Sequence, residues 1–249
     1  MSAVAKLEPS SRARELIRHV VASIDASDRY SLPFPHIFFR DFFPSDFYAE
    51  LIKSIPTGGY YRITSARMAL RLYGDNLAKI DGDVRDLWAD VSETLTSPEV
   101  EDAIRRQLRE GLEIRARGDK MNSVEDLKMV ARPVLYSDKD GYQIKPHPDT
   151  RRKVVTMQLY CPADDSQREL GTTLYQASLK GMLNVGSYGL EPVKTLPFLP
   201  NVGYAFVVLK ASHSLMKMSW HGRPKIKTPI NQPRVSLLNT FYVNEEVEF

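Results

Sequence analysis

Residues 141–160 read GYQIKPHPDTRRKVVTMQLY, and the fold is decided by how this stretch is read. Its second half, from Val154 to Tyr160, is rich in β-branched and apolar residues and reads as a strand. Alternation at period two puts Thr156, Gln158 and Tyr160 on one face of that strand. Just upstream lies His147-Pro148-Asp149. A histidine and a carboxylate two residues apart fall on one side of an extended segment, where one metal ion can take both.

The pattern continues in both directions. Short β-rich segments occur at 128–136, 171–177, 204–209 and 235–243, and 141–147 leads into the histidine. Turn-forming residues punctuate them at 138–141, 162–166, 186–189 and 229–233, which points to a sandwich or barrel. Upstream the period changes. Leu16, Ile17, Val20, Val21 and Ile24 recur at helical spacing. A Pro-rich break at 32–35 precedes a short apolar strand at 36–39. Pro44 then opens a helix whose apolar side carries Phe47, Tyr48, Leu51, Ile52 and Ile55. Val84, Leu87, Trp88, Val91 and Leu95 mark a third helix, and Ser97 with Pro98 caps a fourth. Residues 60–81, rich in Tyr and Arg, fit neither period. The expected class is α+β. A mainly helical portion, 1–127, packs on a jelly-roll (double-stranded β-helix) core, 128–249, within one domain spanning 1–249.

The 249 residues are 43% hydrophobic, enough to bury a core. With 34 basic against 31 acidic residues, the charge is too even for a nucleic-acid face. The run 101–120 mixes both signs and reads as the solvated side of a helix. A single cysteine, Cys161, excludes an internal disulfide and a cysteine zinc site. Residues 1–11 lack the apolar run of a secretory leader, and no stretch approaches the roughly 20 apolar residues that span a bilayer. A cytoplasmic protein with no membrane partner is expected.

Non-haem iron(II) in oxygenases is held by two His and one carboxylate, with the remaining positions open. His147-x-Asp149 alone is common by chance, so a second histidine must come from a distant strand. His213 and His221 are the candidates. His221 is favoured because Arg234-Val235-Ser236 follows it by 13 residues, at the start of an apolar strand. An arginine buried near a metal needs an anionic partner, and a bidentate carboxylate is the natural one. A molecule that chelates metal at one end and carries a carboxylate at the other is 2-oxoglutarate.

In this order and spacing, His147-x-Asp149, His221 and Arg234-x-Ser236 resemble the 2-oxoglutarate/iron(II) dioxygenase superfamily, in its prolyl-hydroxylase-like bacterial branch. The resemblance covers about 128–243 and the Pro33-Phe34-Pro35-His36 opening, and includes Tyr142 and Gly171-Thr172-Thr173-Leu174. It implies a double-stranded β-helix. Iron(II) would be held by His147, Asp149 and His221. Arg234 would bind the distal carboxylate of 2-oxoglutarate, helped by Ser236 and Tyr160. The implied activity consumes dioxygen, releases succinate and carbon dioxide, and hydroxylates a C–H bond. The carboxylate of Asp149 stands where related halogenases leave room for chloride.

Two departures remain. The interval from Phe206 to His221 is longer than the family's, which keeps His213 open as the ligand. Residues 178–200 do not match the family's compact turn and read as a pocket-shaping insertion. For the substrate, Gln143 and Lys145 share alternation parity with His147, and Arg132 precedes Pro133. Tyr60, Tyr61, Arg62, Arg67 and Arg71 read equally as a lid or a surface loop. These cations suit a small molecule with a carboxylate, such as an amino acid. A protein or peptide side chain is the alternative substrate, and a non-catalytic jelly-roll binding module the alternative function.

Overall fold

The computed structural model describes residues 9–178, 189–227 and 229–244. Five α-helices fall in the first half of the described chain: α1 (Ser11–Asp25), α2 (Ser45–Lys53), α3 (Gly82–Leu95), α4 (Pro98–Gln107) and α5 (Arg109–Gly118). Their starts follow local chemistry. Ser10 Oγ accepts the Ala13 N–H at 2.9 Å to open α1, and Ser97 Oγ accepts the Val100 N–H ahead of Pro98 to open α4. In α1 the buried residues Ala13, Leu16, Ile17, Val20 and Ile24 form one apolar stripe.

The same half also supplies strands: β1 (Asp28–Tyr30), β2 (His36–Phe39), β3 (Tyr61–Thr64) and β4 (Arg67–Arg71). The ambiguous 60–81 stretch is therefore largely a hairpin. The second half carries β5 (Val130–Asp138), β6 (Ile144–His147), β7 (Lys153–Tyr160) and β8 (Thr172–Ala177). It continues with β9 (Leu190–Leu196), β10 (Gly203–Val207), β11 (His221–Arg223) and β12 (Arg234–Tyr242). An eight-stranded antiparallel sheet runs β1-β2-β10-β7-β12-β5-β4-β3, and a four-stranded one runs β6-β11-β8-β9. Of the segment expected as an insertion, 179–188 lies outside the described residues, and β9 pairs with β8.

The large sheet has two differently dressed faces. On one, Leu135, Met157, Leu159, Leu237 and Phe241 join Leu16, Val20, Trp88, Val91, Ile104 and Leu112 of the helices in the main core. On the other, Tyr160, Tyr204 and Phe206 pack with Leu174 and Leu196 of the small sheet and with Phe34 and Phe198. Gly171 leads into β8 where any Cβ would collide with the Leu196 carbonyl, so glycine is required there.

The 101–120 run is not all solvated. Arg115, on α5, is 1% exposed. Its Nη1 donates to the carbonyls of Lys153 at 2.6 Å and Val208 at 2.8 Å, and its Nη2 to that of Arg151 at 2.7 Å. A helix thereby grips the loop that leads from Asp149 into β7. Arg115→Met leaves those carbonyls without their donor. It should lower stability by about 3 kcal/mol, read as a fall in the urea midpoint, and Arg115→Lys should recover only part of it.

Candidate metal centre

Strand β6 ends on His147 and β11 begins on His221, and the two residues face each other across the antiparallel pair. Their ring centroids are 4.5 Å apart. Asp149, two residues past the end of β6, completes a group whose ligand atoms all lie within 4.8 Å of one another. His147 Nε2 is 3.8 Å from Asp149 Oδ1, and His221 Nε2 is 3.7 Å from Oδ2.

The backbone fixes which nitrogen of each ring is free. His147 Nδ1 lies 3.0 Å from the Lys145 carbonyl and His221 Nδ1 lies 2.9 Å from that of Ser219. A carbonyl only accepts, so each Nδ1 carries the proton and each Nε2 presents a lone pair towards Asp149. Burial pushes the His221 imidazole down to about 4, with Asp149 opposing the shift and His147 adding to it. Burial alone would raise the Asp149 carboxyl. The Lys153 ammonium, His221, and hydrogen bonds from Lys153 (2.6 Å) and Thr156 (2.7 Å) instead hold it well below the usual carboxylate range. At neutral pH His221 is neutral and Asp149 ionised, the forms that ligate.

Two imidazoles and one carboxylate suit a divalent first-row ion such as iron(II). Bond lengths of about 2.1 Å ask neighbouring donors to sit about 3 Å apart, so the His–Asp spacings of 3.8 and 3.7 Å would contract on binding an ion. His213 is engaged elsewhere. Its Nδ1 accepts the Lys210 N–H at 3.0 Å, and its Nε2 donates to Asp119 at 3.1 Å. The structure thus brings together His147, Asp149 and His221, and leaves His213 out.

The triad lines a cavity of about 120 Å³ together with Thr156, Gln158, Tyr204, Arg67, Arg223 and Arg234. Arg234 is 1% exposed; its Nε donates to the Leu170 carbonyl at 2.7 Å and its Nη1 to Asp138 at 3.2 Å and Ser236 at 3.3 Å. Its Nη2 is buried with no partner. Ser236 and Tyr160 stand behind Arg234 rather than on the cavity lining. Ser236 Oγ also accepts from Gln158, and the Tyr160 hydroxyl accepts the Thr172 N–H at 3.0 Å while its ring lies 5.4 Å from the guanidinium.

The substrate candidates fare differently. Gln143 and Lys145 are exposed, whereas Tyr142 and Ile144 line the cavity. The cause is a register shift: two steps along β11 span three along β6, from His221↔His147 to Arg223↔Ile144. One extra residue inverts the alternation upstream of it. Arg132 shares a face of β5 with Tyr136 but lies over the Tyr73 ring at 5.1 Å, outside the cavity lining. Of the Tyr/Arg stretch, Arg67 reaches the cavity and donates to Asp138 from Nε at 2.6 Å and Nη2 at 3.0 Å.

Sequence reasoning missed Arg223 and Asp138. Arg223 was legible, standing two residues after His221 and so on the same face of a strand. Asp138 was not, because its partners Arg67 and Arg234 are 71 and 96 residues away. A larger groove of about 1030 Å³, lined by Ile52, Tyr60, Pro162 and Gln232 among others, contains none of the triad.

No protein-family model matches the chain, and no curated protein matches it. Solved structures to which it is similar include prolyl 4-hydroxylases and a member of the 2OG-Fe(II) oxygenase family. One is a prolyl 4-hydroxylase from Phytophthora capsici, with 14% identity, covering 96% of this chain and 68% of that one, at a TM-score of 0.47. Another is a Pseudomonas putida prolyl 4-hydroxylase, with 15% identity, covering 91% and 98%, at 0.45. A third is HygX from Streptomyces hygroscopicus with nickel and 2-oxoglutarate bound, with 8% identity, covering 94% and 87%, at 0.49.

His221→Ala should weaken cobalt(II) or iron(II) binding at neutral pH by more than about 100-fold, and Thr156→Val by about 10-fold. His213→Ala should leave affinity within a few-fold. Equilibrium dialysis of the apo-protein measures all three.

Proposed function

We propose that the chain is an iron(II)- and 2-oxoglutarate-dependent oxygenase that hydroxylates an unactivated C–H bond of a small molecule, its two sheets forming a double-stranded β-helix. One observation carries the proposal: buried Arg234, whose Nη2 has no partner, lines the same cavity as the His147, Asp149 and His221 group. A metal at one end and an unsatisfied guanidinium at the other suit a 2-oxo acid with a second carboxylate. A single water takes about 10–15 Å³ of such space, so the cavity has room for about as many non-hydrogen atoms as 2-oxoglutarate contains.

With dioxygen, iron(II) and 2-oxoglutarate supply oxidative decarboxylation to succinate and carbon dioxide coupled to oxidation of the substrate. The protein's own part is positioning. Asp149 and the two Nε2 atoms offer one face of ligands and leave the opposite positions to co-substrate and oxygen. Thr156 and Lys153 hold the Asp149 carboxylate. Arg234 orients the distal carboxylate, and Ser236 and Tyr160 act through Arg234, by a hydrogen bond and by ring contact.

Anaerobic mixing of the apo-protein with iron(II) and 2-oxoglutarate tests this. A weak visible charge-transfer band is expected in the wild type and absent in His221→Ala. Arg234→Ala should need about 10- to 100-fold more 2-oxoglutarate for half-saturation. If the wild type binds no iron and gives no band, the chain is a jelly-roll binding module instead.

A further inference from the structure

Three guanidiniums converge on one buried carboxylate. Asp138 is 0% exposed and ends β5 directly opposite Arg234 on β12 and Arg67 on β4. Arg67 takes both of its oxygens. Arg234 Nη1 reaches Oδ2 at 3.2 Å, and Arg223 Nη2 stands 3.8 Å from the same oxygen, beyond hydrogen-bonding distance. Among the described residues these arginines have no other carboxylate. Three positive charges therefore face one negative charge in a place with little water, a costly arrangement unless an anion joins it.

The free donors say where that anion goes. Arg223 is 4% exposed, and both of its Nη atoms are buried without a partner; so is Nη2 of Arg234. The Tyr142 ring holds the Arg223 guanidinium from one side at 4.4 Å and that of Arg67 at 4.0 Å, so Arg223 is fixed rather than free to leave. Arg223 and Arg234 approach the same oxygen of Asp138, and both residues line the cavity. A carboxylate has acceptor sites for all three open nitrogens. Arg223 also shares a strand face with His221, a two-residue step of about 6.8 Å.

We infer that Arg223 is a second co-substrate-binding residue: the distal carboxylate of 2-oxoglutarate bridges Arg223 of β11 and Arg234 of β12, with Asp138 and Tyr142 holding the two guanidiniums in place. The inference rests on the oxygenase proposal for the identity of the anion. It makes the site a two-arginine clamp that selects 2-oxo acids carrying a second carboxylate.

The test is an anaerobic titration of iron(II)-loaded protein with 2-oxoglutarate and, in parallel, with 2-oxopentanoate, which chelates identically but lacks the far carboxylate. Arg223→Gln should raise the half-saturating 2-oxoglutarate concentration about 10- to 100-fold and leave that for 2-oxopentanoate within about twofold. The Arg223→Gln, Arg234→Gln double variant should lose less than the product of the single losses, because both residues grip one group. Should Arg223→Gln fail to fold, Arg223→Lys keeps the charge and loses the fork. It should weaken 2-oxoglutarate several-fold and 2-oxopentanoate not at all. Unchanged 2-oxoglutarate binding in the Arg223 variant, or equal weakening of both acids, overturns the inference alone. No charge-transfer band with either acid in the wild type instead counts against the oxygenase proposal.

Discussion

Strands β6 and β11 are short, yet their antiparallel pairing sets His221 opposite His147 and so assembles the candidate metal site. Side chains on a strand alternate, so a slip of one residue would turn an imidazole away from Asp149. The register is pinned from both sides. β11 also pairs with β8, matching His221 to Leu174 and Gly222 to Thr173. At Gly222 a Cβ would come within 2.9 Å of the Ile144 carbonyl, so β6 and β11 approach this closely only because glycine stands between His221 and Arg223. The Phe206 ring, 4.7 Å from that of His221, closes the third side.

Two buried carboxylates then give the cavity its polarity. Asp149 has a lysine, a threonine hydroxyl and two imidazoles around it, an environment that leaves it ionised and able to bind a cation. Asp138 is surrounded by arginines and is outnumbered by them. One carboxylate sits with two imidazoles in a group that could hold a metal, and the other holds guanidiniums with nitrogens that no protein atom satisfies. A ligand with a chelating end and an anionic end satisfies both at once. Either ligand end alone would leave one buried charge system uncompensated.

Local signals carried much of this. His147-x-Asp149, the alternation along β7, the serine cap of α4 and the Trp88 stripe are all visible within a few residues. What was lost is what depends on pairing. The extra residue on β6 shifts Tyr142 and Ile144 inward and Gln143 outward, and only the β11 partner reveals it. β9 contains Pro192 and shows no clean alternation, and β11 has three residues, below what any periodicity can register. The choice between His213 and His221 was likewise tertiary, since it depends on Asp119 lying at the end of α5 to occupy His213.

The wall beneath the cavity explains why so many polar groups tolerate burial here. Gln158 Nε2 donates to Ser236, and its Oε1 accepts the Tyr204 hydroxyl at 2.6 Å, which also lies 2.9 Å from Thr172 Oγ1. Ser236 in turn receives Arg234, and the Thr172 N–H goes to Tyr160. Each member positions the next, and the chain of bonds ends on Arg234, whose Nη2 is left open. A network satisfied everywhere else is stiff, so Arg234 does not need to be ordered when a ligand arrives. The opposite face of the same strands is packed with Met157, Leu159, Leu237 and Phe241 against the helices, which keeps that wall from yielding. Helical layer and cavity face are thus one mechanical unit, and the helices contribute to the site by what they hold still.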